Sequence, residues 1–315
     1  MPSPIPPLRI EMVTVVIPVY RAENTLHELG QRLDQVLGDS SEVIFVDDVG
    51  GDGSWKVIES IIADKPHWRG VQLGRNSGQH AAILAGIRRA RCPIVVTMDD
   101  DLQHLPEEIP TLVEALTDDL DLVYGTPVEE EHGAARSLAS RGVKWMMRRT
   151  LAVEHAERIG AFRCFRTNVR DAFSEVNDPY VSIDVLLSWG TGRVGSVAVD
   201  MATRESGTSG YTLTKLIRHT FDMVTGYSAA PLRLVAYVGL LLGLLGFGSL
   251  TYVLVRFILG ESTVPGFTFL ASLLSLVGGI QMIAIAVIGE YLGRVHFRAM
   301  RRPSYHVRRV IGDDR

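Results

Sequence analysis

The distribution of apolar positions divides the first part of the chain into alternating strands and helices. Short β-branched runs, which predict buried strands, cover residues 12–19, 43–46, 71–73 and 93–98. Stretches with a helical spacing of apolar residues follow them at residues 24–37, 55–64, 81–90 and 106–116. Strands that alternate with helices favour a mostly parallel, doubly wound sheet with helices on both faces. The sequence therefore predicts an α/β fold.

Acidic residues stand where two of these strands end. Asp47 and Asp48 follow the second strand, and three consecutive aspartates, residues 99–101, follow the fourth. Ligands of open α/β sheets bind at the carboxyl ends of the strands. Crowded carboxylates repel one another, and a hard divalent cation relieves that repulsion by taking oxygen ligands. We expect Mg²⁺ or Mn²⁺ with a bound diphosphate, whereas a solvated acidic turn is the alternative interpretation. The expected metal ligands are Asp99, Asp101 and Gln103.

The pair at the second strand has a different expected role. Asp47 and Asp48 can accept hydrogen bonds from a nucleobase or a ribose. The chain has no G-x-G-x-x-G after its first strand and no Gly-Lys-Ser/Thr phosphate loop, which excludes a dinucleotide-dependent oxidoreductase and an ATPase of the usual kinds. A net charge of -4 gives no support for a nucleic-acid partner. The remaining expectation is a bound nucleotide diphosphate.

The apolar excess of the chain is concentrated near its carboxyl end. The mean hydropathy is +0.15 although 22% of the residues are charged. Residues 234–255 and 262–289 contain no charged side chain. Each run is long enough to cross a bilayer, so the sequence predicts two transmembrane helices, at about 232–256 and 266–290. Gly239 and Gly243 have the G-x-x-x-G spacing that permits close helix packing, which favours a homo-oligomer.

Basic residues set the expected orientation of these helices. Arg233 precedes the first apolar run and Arg294 and Arg298 follow the second, whereas Arg256 alone borders the loop between them. The positive-inside rule then places both termini in the cytosol, and the protein is expected to be an integral membrane protein. The expected segments are a cytosolic α/β domain over 1–210, an interfacial amphipathic helix over 211–231, two transmembrane helices within 232–290 and a basic cytosolic tail over 291–315.

Six motifs together resemble the inverting GT-A glycosyltransferases that include dolichyl-phosphate mannose synthase. Within that family the chain is most similar to bacterial polyprenyl-phosphate sugar transferases, especially the undecaprenyl-phosphate 4-deoxy-4-formamido-L-arabinose transferases. The motifs are Val16-Ile17-Pro18-Val19-Tyr20, Val46-Asp47-Asp48, Arg75-Asn76-Ser77-Gly78-Gln79-His80-Ala81-Ala82, Asp99-Asp100-Asp101-Leu102-Gln103, Arg204-Glu205-Ser206-Gly207-Thr208-Ser209-Gly210-Tyr211 and Gly289-Glu290-Tyr291-Leu292-Gly293-Arg294.

The resemblance implies a GT-A fold and a membrane-bound reaction in the cytoplasmic (inner) membrane. A nucleotide-diphosphate sugar, with a UDP-sugar favoured, would donate its sugar to a polyprenyl phosphate, with undecaprenyl phosphate favoured, and the anomeric configuration would invert. The residues that match the family's nucleotide contacts are Pro18, Tyr20, Asp47 and Asp48. The expected catalytic residues are Asp99, Asp101, Arg136 and Arg204, of which Arg204 matches the arginine over the donor diphosphate. Arg136 and Ser140 match an Arg-x-x-x-Ser element near the acceptor phosphate, and Asp100 is expected to contact the nucleotide sugar or that phosphate.

The chain departs from the family pattern at several positions. Arg21-Ala22 stands where Asn-Glu is usual, and Val49 replaces a common glycine. Ala161 stands where Gly-Asp is usual, and Gly210 replaces a lysine. These changes motivate an alternative, a non-catalytic membrane-anchored protein that binds a nucleotide sugar or recruits a partner. A polysaccharide synthase is a third possibility, but the Gln-x-x-Arg-Trp element and the additional spans usual for such enzymes are missing from the sequence.

Overall fold

The structure is a computed structural model that describes residues 10–128, 159–178, 181–202, 230–259, 266–300 and 303–312. The chain divides into two compact units, Met1–Gly210 with Arg301–Arg315, and Tyr211–Met300. The strands are β1 (Val13–Val19), β2 (Glu42–Asp47), β3 (Trp68–Leu73), β4 (Ile94–Thr97), β5 (Leu122–Pro127), β6 (Arg163–Arg166), β7 (Val194–Val199) and β8 (Val307–Ile311). The helices are α1 (Leu26–Val36), α2 (Ser54–Ile62), α3 (Gln79–Ile87), α4 (Ile109–Ala115), α5 (Ile183–Gly190), α6 (Ala230–Ile258) and α7 (Phe267–Ala299).

The first unit is built on one eight-stranded sheet with the order β7-β5-β6-β4-β1-β2-β3-β8. Strand β1 lies at its centre and pairs in parallel with β2 and β4, and β2 pairs in parallel with β3. Strands β6 and β8 run antiparallel to their neighbours. The α/β prediction is confirmed, and the sheet is mixed because two short strands outside the predicted alternation join it in the opposite direction.

Side-chain alternation along β1 distributes the core over both faces of the sheet. Val15 and Ile17 pack in one apolar cluster with side chains of α1, α2 and α4, whereas Val16 packs in a second cluster with side chains of α3 and α5. All seven residues of β1 are buried. Helices on both faces explain why this strand is apolar at every position except Thr14 and shows no regular polar alternation. The packing confirms the doubly wound arrangement and leaves the carboxyl ends of the central strands at one edge.

Strand β8 comes from the end of the chain. The C-terminal segment, residues 303–312, returns to the sheet and pairs with β3, with Leu73 opposite Val307 and Gly70 opposite Ile311. Gly312 has a positive φ of 77°, and a Cβ there would lie 2.3 Å from the carbonyl oxygen of Trp68. The basic composition of residues 291–315 did not predict this strand, because edge pairing depends on contacts far apart in sequence.

A buried polar cluster fixes the opposite ends of the strands. Glu42 accepts hydrogen bonds from Arg69 Nη2 at 2.8 Å and from Thr14 Oγ1 at 2.5 Å. Its carboxylate also accepts from the backbone N–H of Arg91 at 2.8 Å. The side chains of Glu42 and Arg69 are 8% and 4% exposed. One carboxylate therefore connects β1, β2, β3 and the segment before β4.

The second unit contains the two helices that coincide with the predicted apolar spans. Helix α6 has 29 residues and α7 has 33 residues. Within the described ranges, however, no helix combines the length and apolarity that crossing a membrane requires, so the prediction of two transmembrane helices is not confirmed. The predicted interfacial helix over 211–231 lies outside the described residues except for its last two positions.

Candidate functional site

A cavity opens at the carboxyl edge of the sheet, where the aspartates follow their strands. Its volume is about 390 Å³. The ends of β1, β2 and β4 and the beginning of α3 form its walls. The lining residues are Pro18, Val19, Tyr20, Asp48, Asn76, Gly78, Gln79, Asp99, Asp100 and Asp101. Six predicted site residues from three separate strand ends thus meet in one place, because parallel strands bring their carboxyl ends to the same edge.

The two aspartates after β2 have different environments. Asp48 lines the cavity, and its two carboxylate oxygens accept hydrogen bonds from the backbone N–H groups of Ser77 and Gly78 at 2.7 and 2.8 Å. Burial raises the pKa of Asp48, and these two hydrogen bonds oppose the rise. Asp47 accepts hydrogen bonds from Gln72 Nε2 and from the N–H of Val49 instead. Asp48 therefore organises the loop between β3 and α3, and Asp47 the turn after β2.

Asp99 and Asp101 both line the cavity. Asp99 Oδ1 accepts a hydrogen bond from Gln79 Nε2 at 2.6 Å, and Asp101 Oδ1 accepts one from the N–H of Gln103 at 3.2 Å. Burial raises the pKa of Asp99, and the nearby Asp101 carboxylate adds to the rise. Among the residues that the structure describes, the second oxygen of each carboxylate accepts no hydrogen bond. Gln103 is half-buried, and its carbonyl accepts from the N–H of Ala202 at 3.0 Å.

The central aspartate of the triplet, Asp100, joins the segment after β4 to the segment between β1 and α1. Asp100 Oδ2 accepts a hydrogen bond from the N–H of Tyr20 at 2.9 Å, and its carbonyl accepts from Thr25 Oγ1 at 2.7 Å. Burial raises the pKa of Asp100 to about 7, and the charges of Asp99 and Asp101 contribute to that rise. Three carboxylates so close together favour any arrangement that brings positive charge to them.

His104 is a residue of this site that the sequence analysis missed. Its Nδ1 accepts a hydrogen bond from the N–H of Asp99 at 3.0 Å, and its ring stacks on Phe162 at 5.0 Å between centroids. Burial lowers the pKa of His104, and the charge of Asp99 opposes that shift. An imidazole that accepts at Nδ1 carries no proton there. His104 thus holds the backbone of Asp99, and only its place in the same run as Gln103 could have suggested this role.

Three residues with a left-handed backbone directly follow residues that line the cavity. Arg21, Val49 and Leu102 have φ values of 58°, 58° and 61°. Each follows a lining or adjacent site residue at the end of β1, β2 or β4. The left-handed region is costly for residues with a Cβ and is most unusual for a β-branched residue. Such positions persist where the surrounding structure imposes them, and they are concentrated at functional sites.

Replacing Val49 by glycine is expected to stabilise the protein. Glycine removes the cost of the left-handed conformation, which is about 1–2 kcal/mol. Glycine also loses more conformational entropy on folding, which offsets part of this gain and leaves a net stabilisation of about 0.5–1 kcal/mol. The melting temperature, measured by differential scanning calorimetry, should rise by about 1–4 °C. Val128 is 63% exposed and has no positive φ, so Val128→Gly is the matched control and should not stabilise. A lower melting temperature for Val49→Gly than for the wild type would contradict the strain argument.

The donor set at the carboxyl edge fits a hard divalent cation that is shared with a ligand. Asp99 and Asp101 are two of the four aspartates that line the cavity, and both supply oxygen. Among the residues that the structure describes, no three acidic, histidine or cysteine side chains form a metal cluster by themselves. Mg²⁺ is commonly held by one or two carboxylates together with substrate phosphates and water. The arrangement therefore suits a metal that binds with a diphosphate.

Three predicted site residues cannot be placed in this cavity. Arg136, Ser140 and Arg204 lie outside the described residues. Gly210, one of the departures from the family pattern, is likewise outside the described ranges. Ala161, another departure, is described, and its carbonyl accepts a hydrogen bond from Thr97 Oγ1 at 2.8 Å. The acceptor side of the site stays a prediction.

Comparison with known proteins gives relatives along almost the whole chain. The family model described as glycosyl transferase family 2 matches residues 14–175. The undecaprenyl-phosphate 4-deoxy-4-formamido-L-arabinose transferase of Sodalis glossinidius (strain morsitans) is 33% identical over 315 residues, which covers 98% of this chain and 96% of that protein. The protein of the same name from Klebsiella pneumoniae (strain 342) is 33% identical over 308 residues, covering 96% and 94%.

The fold is similar to that of a solved glycosyltransferase. Glucosyl-3-phosphoglycerate synthase from Mycobacterium tuberculosis, crystallised with Mn²⁺, UDP-glucose and phosphoglyceric acid, superposes with a TM-score of 0.50 at 14% identity, covering 68% of this chain and 78% of that one. The fold and the carboxylate-lined cavity define a GT-A-like glycosyltransferase. The chain belongs to glycosyl transferase family 2.

Proposed function

We propose that this enzyme transfers a sugar from a nucleotide-diphosphate sugar, with a UDP-sugar favoured, to polyprenyl phosphate, with undecaprenyl phosphate favoured. The observation that carries the proposal is the cavity in which Asp48, Asp99 and Asp101 converge at the carboxyl edge of the sheet. The relatives named as undecaprenyl-phosphate sugar transferases support it, because they match the chain over nearly its full length. The product is a polyprenyl-phosphate sugar.

The reaction needs charge neutralisation more than proton transfer. The second pKa of a phosphate monoester is near 6, so the acceptor is largely dianionic at neutral pH and needs little help from a general base. One of its oxygens attacks the anomeric carbon, the bond to the nucleoside diphosphate breaks, and the configuration inverts. The protein must bring two anions together and stabilise the leaving diphosphate.

Two aspartates that line the cavity can bind a cation that would neutralise this charge. Asp99 and Asp101, which line the cavity, would hold Mg²⁺ or Mn²⁺. Gln103 is the further predicted ligand, although it is not among the residues that line the cavity. The cation would supply positive charge to the leaving diphosphate. Gln79 and His104 keep Asp99 in place through hydrogen bonds to its side chain and its N–H. Pro18 and Tyr20 also line the cavity, and the nucleoside is expected to lie against them.

Arginines outside the described residues complete the proposal. Ala202 is hydrogen-bonded to Gln103, and Arg204 is two residues further along the sequence. This proximity in sequence supports a role for Arg204 at the donor diphosphate. One guanidinium group can donate hydrogen bonds to two phosphate oxygens at once, which suits that role. Arg136 and Ser140 are proposed to bind the acceptor phosphate. The partner on this side is the lipid, and no other macromolecule is needed.

The acceptor requires that the protein works at a membrane. Large apolar side chains on α6 and α7 are exposed, among them Phe247 at 71% and Leu274 at 75%. We propose that these helices anchor the protein in the cytoplasmic membrane, with the catalytic unit and both termini in the cytosol. Resistance to alkaline extraction, together with protease access to both termini in inverted vesicles, would support this; release of the protein by alkali would contradict it.

The function is tested by sugar transfer in detergent. Radiolabelled UDP- and GDP-sugars are offered with undecaprenyl phosphate in the presence of Mg²⁺, Mn²⁺ or EDTA. We expect a lipid-linked product with a UDP-sugar that EDTA abolishes and added Mn²⁺ restores, because two carboxylates alone cannot neutralise a diphosphate. A protein that binds UDP but gives no product with any donor would favour the non-catalytic alternative.

A further inference from the structure

The C-terminal segment, residues 303–312, lies against the loop that forms one wall of the cavity. The backbone N–H of Gly74 donates a hydrogen bond to the carbonyl of His306 at 2.7 Å. Leu73, the last residue of β3, is opposite Val307, and the register shifts there by a bulge. A Cβ on Gly74 would lie 3.0 Å from the imidazole of His306. The chain therefore leaves β3 in direct contact with the C-terminal segment.

The same loop and the first residue of α3 hold residues that line the cavity. Asn76, Gly78 and Gln79 line it, and Gln79 binds Asp99. The N–H groups of Ser77 and Gly78 bind both oxygens of Asp48. Only three residues separate Gly74 from Gly78. A displacement at Gly74 must therefore reach the loop amides and, through Gln79, the carboxylate of Asp99.

The beginning of the C-terminal segment also makes contacts that do not involve the loop between β3 and α3. Ser304 is buried, and its hydroxyl donates to the carbonyl of Asp178 at 2.6 Å. Tyr305 packs against the apolar clusters on the α3 face of the sheet, and the guanidinium of Arg88 lies 5.7 Å from the centre of its ring. Arg88 Nη2 also donates to the carbonyls of Ser174 and Val176. These contacts fix the position of His306 independently of the loop.

We propose that the C-terminal segment is a positioning element of the donor cavity: it holds the loop between β3 and α3, and thereby sets the affinity for the nucleoside diphosphate. The inference rests on the proposed function for the identity of the ligand. No residue of the segment is proposed to touch the substrate.

The test compares substitutions at the two ends of the C-terminal segment. The double variant Tyr305→Ala/Val307→Ala removes two half-buried side chains next to Gly74. The control Val310→Ala/Ile311→Ala removes two half-buried side chains at the far end, opposite Val71 and Gly70. Both variants should lower the melting temperature by a similar amount. Only the first should weaken UDP binding in the presence of Mn²⁺, measured by calorimetry, by about fivefold or more, and raise the donor KM with a smaller change in kcat.

Rescue and amide exchange separate positioning from general destabilisation. Tyr305→Phe/Val307→Ala keeps the aromatic ring over Arg88 and should recover most of the UDP affinity. Hydrogen exchange of the amides in residues 74–78, followed without ligand, should be faster in the first variant than in the control. Equal loss of affinity at both ends, or unchanged exchange in the first variant, would overturn the inference. Because exchange needs no substrate, a failure of the proposed function would leave this readout intact.

Discussion

Asp101→Asn is expected to lower sugar transfer by about a thousandfold or more, which corresponds to roughly 4 kcal/mol of transition-state stabilisation. The substitution removes one negative charge from the lining of the cavity and thereby weakens the attraction of the site for a divalent cation. Asp101 is exposed, and its described hydrogen bond is accepted by Oδ1 from the N–H of Gln103. An asparagine oxygen can accept the same bond, so the fold should persist. Lipid-linked product and Mn²⁺ affinity are the quantities to measure.

A matched control is available on the surface. Asp118 is fully exposed and has a surface ion pair with Arg166 at 3.3 Å. Asp118→Asn makes the same chemical change far from the metal motif in sequence and should leave transfer and Mn²⁺ binding unchanged. Full activity of Asp101→Asn, with the control also fully active, would contradict the metal role of this carboxylate. Loss of transfer with unchanged Mn²⁺ affinity would place the role of Asp101 elsewhere in the reaction.

Glu42→Ala is expected to destabilise the first unit by about 3–5 kcal/mol. The substitution removes the carboxylate from a guanidinium that is 4% exposed and from the Thr14 hydroxyl and the Arg91 N–H. A buried charge that loses its partner keeps the full cost of its desolvation. Chemical denaturation monitored by circular dichroism should show the loss, and the melting temperature should fall by roughly 10 °C.

Two further variants test whether the effect comes from burial of charge. Glu42→Leu/Arg69→Met replaces both charges by apolar groups and should recover much of the lost stability, because a buried ion pair contributes little beyond an apolar pair of similar volume. Glu107→Ala breaks an ion pair with Arg32 in which the glutamate side chain is 49% exposed. That change should cost at most about 1 kcal/mol. A similar loss in Glu107→Ala would refute the burial argument.

Two departures of this chain from the family pattern, Arg21 and Val49, lie close together where the chain leaves β1 and β2. Arg21 donates from Nε to the carbonyl of Gly50 at 3.0 Å, and its guanidinium lies 5.3 Å from the centre of the Tyr20 ring. Val49, next to Gly50, has a left-handed backbone. Residues that looked like separate anomalies in the sequence are thus neighbours in the structure. Each directly follows a residue that lines the cavity, and neither belongs to the metal motif.

Local patterns in the sequence determined much of the fold and of the candidate site. The apolar runs gave β1 to β4 and the helices between them, because periodicity of burial is recorded residue by residue. The aspartates at the strand ends gave the cavity, since parallel strands align their carboxyl ends. The motifs also predicted the family, which the relatives confirm.

Tertiary structure alone decided the contacts that join distant segments. The pairing of β8 with β3 links residues far apart in the chain, and nothing in the sequence of residues 307–311 specifies that partner. The same holds for His104 under Asp99 and for Glu42 with Arg69. Backbone hydrogen bonds and buried charges are satisfied by whichever group the fold brings near, and sequence spacing does not encode that proximity. The sequence by itself named the chemistry of the cavity, and the tertiary structure supplied the groups that hold it in place.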